Sequence, residues 1–125
     1  MNLYLQLGST IVIFALLSYS IGVIREQRTG ILSGKVLTFI TLGVILDITA
    51  TILMIAGSSK GGLSLHGFIG YSSLAGMLLD AILMWIRVIR NGKNSEVTKG
   101  LHLYTRYAYI WWVIAFITGA ILVFL

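Results

Sequence analysis

The sequence predicts an all-α membrane protein, an antiparallel four-helix transmembrane bundle that forms a single domain over residues 1–125. Three observations carry this. The chain is 58% hydrophobic with only 10% charged residues, far too apolar for a soluble domain of 125 residues. Its apolar residues gather in four runs, each of about the 20 residues that a helix needs to cross about 30 Å of hydrocarbon. The connections between the runs, "REQRTGILSGK", "GSSKGG" and "RNGKNSEVTKG", are short and punctuated by glycine and polar residues, so successive helices must be antiparallel neighbours.

The first run, about Leu3 to Ile24, has no basic residue ahead of "LYLQLGSTIVIFALLSYSIGV" and no small-x-small cleavage site before a mature domain. It therefore reads as a retained helix rather than a signal peptide. The second, about Val36 to Ala56, is interrupted only by Asp47 in "TLGVILDITATILM". The third, about Leu63 to Val88, carries His66, Asp80 and Arg87, and the fourth, about Leu101 to Leu125, opens with His102 and Arg106 in "LHLYTRY".

Basic residues set the orientation. Arg25, Arg28 and Lys35 flank the first connection and Arg87, Arg90, Lys93 and Lys99 the third, whereas the second holds only Lys60. The positive-inside rule puts the first and third connections in the cytoplasm and both termini outside, which predicts a multi-pass protein of the cytoplasmic membrane. The net charge of +5 then serves topology and contact with the lipid bilayer, and no nucleic-acid partner is expected, because the basic residues border spans. The absence of cysteine excludes disulfide exchange and thiolate metal sites.

Ionisable groups within a bilayer are costly unless paired or wetted, which makes each a candidate for function. On the third helix His66, Ser73, Asp80 and Arg87 recur every seven residues with Gly70, Met77 and Met84 between them, one slowly drifting stripe that suits a packed seam. Asp80 lies seven residues from Arg87, and Arg106 seven from Lys99, so both sit roughly 10 Å into the membrane from one side. A structural ion pair between Asp80 and Arg106 is the expectation. Asp47, twelve residues beyond Lys35, lies roughly 18 Å deep, near the midplane. This buried acid is expected either to hydrogen-bond to residues such as Thr51 or Ser73, or to line a wet cavity and titrate there.

His66 and His102 fall at opposite ends of the bundle, roughly 25 to 30 Å apart, so they cannot share one metal ion or planar cofactor. Each is either a headgroup-level polar residue or a ligand. Beside His66, Gly70 leaves space one turn on and Met54 offers a second ligand; beside His102, Tyr104, Arg106 and Tyr107 suit a cofactor carboxylate. Ser18 and Gly22, Ser72 and Gly76, and Ala115 and Gly119 have the small-xxx-small spacing of close helix contacts, within one chain or in a homodimer.

At "YSIGVIREQRTG", "LGVILDITATILM", "LHGFIGYSSLAGMLLDAI" and "GLHLYTRYAYIWWVIAFITGAI" the chain resembles the HsmA family of small four-span bacterial and archaeal membrane proteins. The likeness covers all four helices. It rests on the Tyr-x-Ile-Gly-Val end of helix one, on Asp47 with Thr49 and Thr51, on His66-Gly67 and on His102. It implies haem binding or sequestration and protection against haem and oxidative stress, with haem b as cofactor and His102 or His66 as the iron ligand. Members of that family tend to carry histidine where this chain has Asp80 and near Val36, so the resemblance implies here a single histidine ligand per site.

Other functions are weighed against this. Small multidrug exporters place their essential carboxylate in the first helix, and here that run contains no acid. An intramembrane aspartyl protease would need Asp47 and Asp80 to share a proton, but their depths differ by roughly 8 Å. No catalytic residue is assigned and enzyme activity is not expected. A structural or accessory subunit of a membrane complex, or a small transporter, is the alternative.

Overall fold

The computed structural model describes residues 3–57 and 65–124, with the side chains at 65, 66 and 122–124 outside the description. Four helices make up the architecture: α1 Leu3–Thr29, α2 Gly34–Gly57, α3 Leu65–Asn91 and α4 Lys99–Phe124. By length and composition Leu3–Thr29, Gly34–Gly57 and Gly67–Asn91 can each cross a membrane. α4 has 26 residues and is richer in tyrosine and tryptophan.

Cross-helix contacts establish the antiparallel order. From α1 to α2 the close partners are Gly8 with Met54, Tyr19 with Gly43 and Gly22 with Ile40, numbers that rise on one helix as they fall on the other. From α3 to α4 they are Ser72 with Trp111, Gly76 with Tyr104 and Asp80 with Thr105. The chain is thus two helical hairpins laid side by side. Trp85 of α3 donates to Thr41 of α2 at 2.9 Å, and Ser20 of α1 meets the Tyr109 hydroxyl of α4 at 2.6 Å, which joins the hairpins on both flanks.

The α1–α2 contact is the closest because small residues line it. A Cβ on Gly22 would stand 2.9 Å from Ile40 Cγ1, and one on Gly43 2.4 Å from Tyr19 Cδ1. Ser18 and Gly22, both buried, therefore serve packing within the chain. The inward stripe of α3 is as the sequence predicts, with Ser73, Met77, Asp80, Ala81 and Met84 all buried. Together with Tyr19, Ile40 and Trp112 they fill the centre.

The helices run further than the apolar runs alone suggest, and the reason is local. α1 and α3 each end at a glycine with positive φ, Gly30 (65°) and Gly92 (91°). Each donates its N–H to the carbonyl four residues back, Gly30 to Glu26 and Gly92 to Val88, both at 2.7 Å, the left-handed helix cap that glycine adopts without strain. α2 and α4 open on side-chain caps: Ser33 Oγ accepts from the Val36 N–H at 3.3 Å, and Thr98 Oγ1 from the Leu101 N–H at 3.2 Å.

Between stop and start each of these two connections forms a two-residue strand, β1 Ile31–Leu32 and β2 Ser95–Glu96. They pair antiparallel, Ile31 opposite Glu96 and Leu32 opposite Ser95. The Val97 N–H extends the ladder to the Gly30 carbonyl at 2.8 Å. Arg87 Nε donates to the Glu96 carbonyl at 3.0 Å, and Leu32 turns into the core with no exposure. The first and third connections thus close one end of the bundle, the ladder end.

Candidate functional site

The chain has four acidic residues, and three lie in the interior: Glu26 with 0% exposure, Asp47 with 5% and Asp80 with 0%. α1, α2 and α3 contribute one each. A buried carboxylate must find hydrogen-bond donors, and α4 supplies one to each acid.

At the ladder end His102 Nδ1 lies 2.6 Å from Glu26 Oε2. Gln27 Nε2 donates to Glu26 Oε1 at 2.7 Å and to the His102 carbonyl at 2.9 Å. Gln27 Oε1 in turn accepts from Arg106 Nε at 2.8 Å, and an Arg106 terminal nitrogen stands 3.5 Å from His102 Nε2. Arginine only donates, so this last contact is a hydrogen bond in the tautomer with the ring proton on Nδ1, which then donates to Glu26. The dyad fixes the ring and leaves Nε2 beside Arg106; the His102 side chain is 26% exposed. Among the described residues His102 is the single basic side chain within ion-pair distance of a carboxylate.

Further in, Thr105 Oγ1 donates to Asp80 Oδ1 at 2.5 Å, while Asp80 Oδ2 is buried without a hydrogen-bond partner among the described residues. At the centre Asp47 Oδ2 accepts from Tyr19 OH at 3.0 Å and from Trp112 Nε1 at 2.8 Å. The Tyr19 ring stands edge-on to Trp112 with centroids 5.0 Å apart. His102, Thr105, Tyr109 and Trp112 follow one another at helical spacings of three, four and three, so one face of α4 carries the donors that receive the other helices' polar groups.

The structure corrects the expected Asp80–Arg106 ion pair. Successive residues of a helix point about 100° apart, and it is Thr105 that turns inward to Asp80 while Arg106 is exposed and reaches α1 at Gln27. Asp47 is the buried acid the sequence predicts, but its described donors are Tyr19 and Trp112; Ser73 Oγ instead donates to the Gly70 carbonyl at 2.8 Å. Met54 packs into the α1–α2 contact, its Cγ 2.8 Å from where a Gly8 Cβ would stand. No atom of the described residues stands within 4 Å of a Cβ built on Gly70. The side chain of His66 lies outside the described residues, as does Lys60. Tyr104 is engaged with α3, donating to the Gly76 carbonyl at 2.8 Å.

Sequence reasoning missed Glu26 and Gln27, which it assigned to a connection. Periodicity held the signal: Tyr19, Gly22, Val23 and Glu26 repeat at the spacing of a buried face, and all four are buried.

A bare metal ion finds no group of three or more His, Asp or Glu side chains among the described residues. Haem needs only axial ligands from the protein, because the macrocycle supplies the equatorial ones. Tyr19, Met77 and Met84 fill the interior with 0% exposure. This interior leaves no room for a haem inside the bundle, and the ring nitrogen of His102 that Glu26 does not engage, Nε2, would be the atom to hold its iron. Comparison with protein families, curated proteins and solved structures finds no match to this chain.

Proposed function

We propose that the chain is a multi-pass protein of the cytoplasmic membrane that binds a b-type haem at its ladder end, where His102 would hold the iron, and that it sequesters haem under haem or oxidative stress. The observation behind this is the Glu26–His102 dyad. A ligating histidine characteristically gives its second ring N–H to a carboxylate, which sets the tautomer and makes the ligand nitrogen more basic. Glu26 stands where that role requires, 2.6 Å from Nδ1. When bound, haem would supply the iron and its redox and oxygen chemistry; this chain's residues orient and hold. Arg106 is the partner for a propionate, since its guanidinium already borders Nε2 at 3.5 Å.

The membrane placement rests on three helices long and apolar enough to cross and on the ladder, which brings the basic first and third connections to one end. On the positive-inside rule that end is cytoplasmic, where free haem is met.

Haem titration into the purified protein tests the reading. A Soret band should form with wild type and His66→Ala and fail with His102→Ala. Glu26→Gln should keep the band with affinity reduced about 10- to 100-fold, the usual cost of losing such an outer partner. A band identical in all four proteins, or none in wild type, refutes it.

One observation favours a second reading, a small transporter: the buried Asp80 Oδ2, without a partner among the described residues. Intramembrane acids of this kind mark ion paths. Asp80→Asn separates the two, because haem binding at His102 should survive it while ion-coupled transport should not.

A further inference from the structure

α3 and α4 leave a groove of about 590 Å³ between them near the ladder end. Its floor follows one face of α3, on which Leu79, Leu83 and Ile86 give way to Arg87 and Arg90. The apolar part lies toward the bundle centre and the basic part at the helix end, roughly 16 Å along. Leu101 of α4 closes the far wall. No Asp or Glu lines it, and among the described residues neither arginine has an acidic partner.

The two arginines are placed differently. Arg87 is half-buried, and its Nε is tied to the Glu96 carbonyl at 3.0 Å, so the ladder pre-orients its guanidinium and leaves the terminal nitrogens for another acceptor. Arg90 is exposed one turn further on. Paired guanidinium groups recognise a phosphate diester through parallel N–H bonds. Apolar walls running from that point toward the midplane match a fatty-acyl chain.

We propose that this groove is a binding site for one anionic phospholipid of the leaflet at the ladder end, its phosphate held between Arg87 and Arg90 and one acyl chain laid along Leu79, Leu83 and Ile86. The site is separate from the Glu26–His102 dyad, which lies between α4 and α1. It rests on the membrane placement proposed above and is independent of haem.

Native mass spectrometry of the detergent-extracted protein tests it, with phosphatidylglycerol and phosphatidylcholine of identical chains as probes. One phosphatidylglycerol should be retained per chain in preference to phosphatidylcholine. Arg87→Gln with Arg90→Gln should weaken retention by about tenfold or more. Arg25→Gln with Arg28→Gln, which removes the same charge from the same end on α1, should leave it unchanged. Leu83→Trp, which fills the groove and keeps both arginines, should also abolish it and guards against misfolding of the double variant. Equal retention of the two lipids, equal losses in both arginine pairs, or full retention in Leu83→Trp overturns the proposal. Recovery of the protein in the aqueous fraction without detergent would instead remove the membrane placement itself.

Discussion

Replacing Gly43 by alanine probes the α1–α2 contact at its tightest point. The new Cβ would lie 2.4 Å from Tyr19 Cδ1 and 2.6 Å from Cε1, about 1 Å inside the distance at which carbon atoms rest. Tyr19 has nowhere to go, since it is fully buried, bonded to Asp47 at 3.0 Å and packed edge-on to Trp112. The two helices must part instead. Overpacking of this kind costs about 1–3 kcal/mol, and a stretched Tyr19–Asp47 bond adds about 1 kcal/mol. Against that, alanine in place of glycine favours the helix by up to about 1 kcal/mol. The net expectation is a loss of about 1–3 kcal/mol. Gly70→Ala makes the identical chemical change where no atom of the described residues stands within 4 Å, so the helix-favouring effect remains and stability should rise. Thermal unfolding in detergent, followed by tryptophan fluorescence and far-ultraviolet circular dichroism, should show midpoints moving in opposite directions. A wild-type midpoint for Gly43→Ala, or equal shifts in both variants, would refute the reasoning.

Three further outcomes follow from the geometry. A double-mutant cycle on Asp80→Asn and Thr105→Val should give a coupling of about 0.5–3 kcal/mol, and the same cycle with Arg106→Gln in place of Thr105→Val should be additive within about 0.5 kcal/mol; the reverse pattern would restore the Asp80–Arg106 pairing. Cysteines placed at Ile31 and Glu96, in a protein with none of its own, should form a disulfide under mild oxidation, because directly paired strand residues lie within bridging distance. Failure to cross-link would remove the ladder. Single cysteines at Lys60 and Lys93 should react with an impermeant thiol reagent from opposite sides of the membrane, with Lys60→Cys labelled in intact cells; labelling of Lys93→Cys from outside would invert the orientation.

The four helices and the inward stripe of α3 were legible because run length and a seven-residue repeat survive in any single sequence. Ser73, Met77, Asp80 and Met84 kept the face their spacing predicts. The ladder was not legible, since strands of two residues carry no periodicity, and their pairing joins the first connection to the third, with two helices between them in the chain. Depth arguments matched Asp80 to Arg106 correctly in height but said nothing of azimuth. On a helix the adjacent residue, Thr105, points about 100° away, and that rotation decided the partner. Asp47 was readable as a buried acid, whereas its donors, Tyr19 and Trp112, come from helices whose rotation no local pattern fixes. Glu26 was hidden by its surroundings, "REQRTG", whose polarity reads as a loop although the helix continues to Thr29.

The ladder has a mechanical consequence. With Ile31 and Leu32 zipped to Glu96 and Ser95, the two hairpins share a pivot at the ladder end, and at the other end the chain passes from α2 to α3 between Gly57 and Leu65. A small splay then displaces each contact in proportion to its distance from the pivot. Glu26–His102 sits on the short lever arm and keeps its geometry, Asp80–Thr105 connects arms of the same hairpin and travels with it, and Asp47–Trp112, further out and bridging the two hairpins, takes the strain first. Thermal breathing of the bundle would therefore be reported by Trp112 long before it disturbed the histidine.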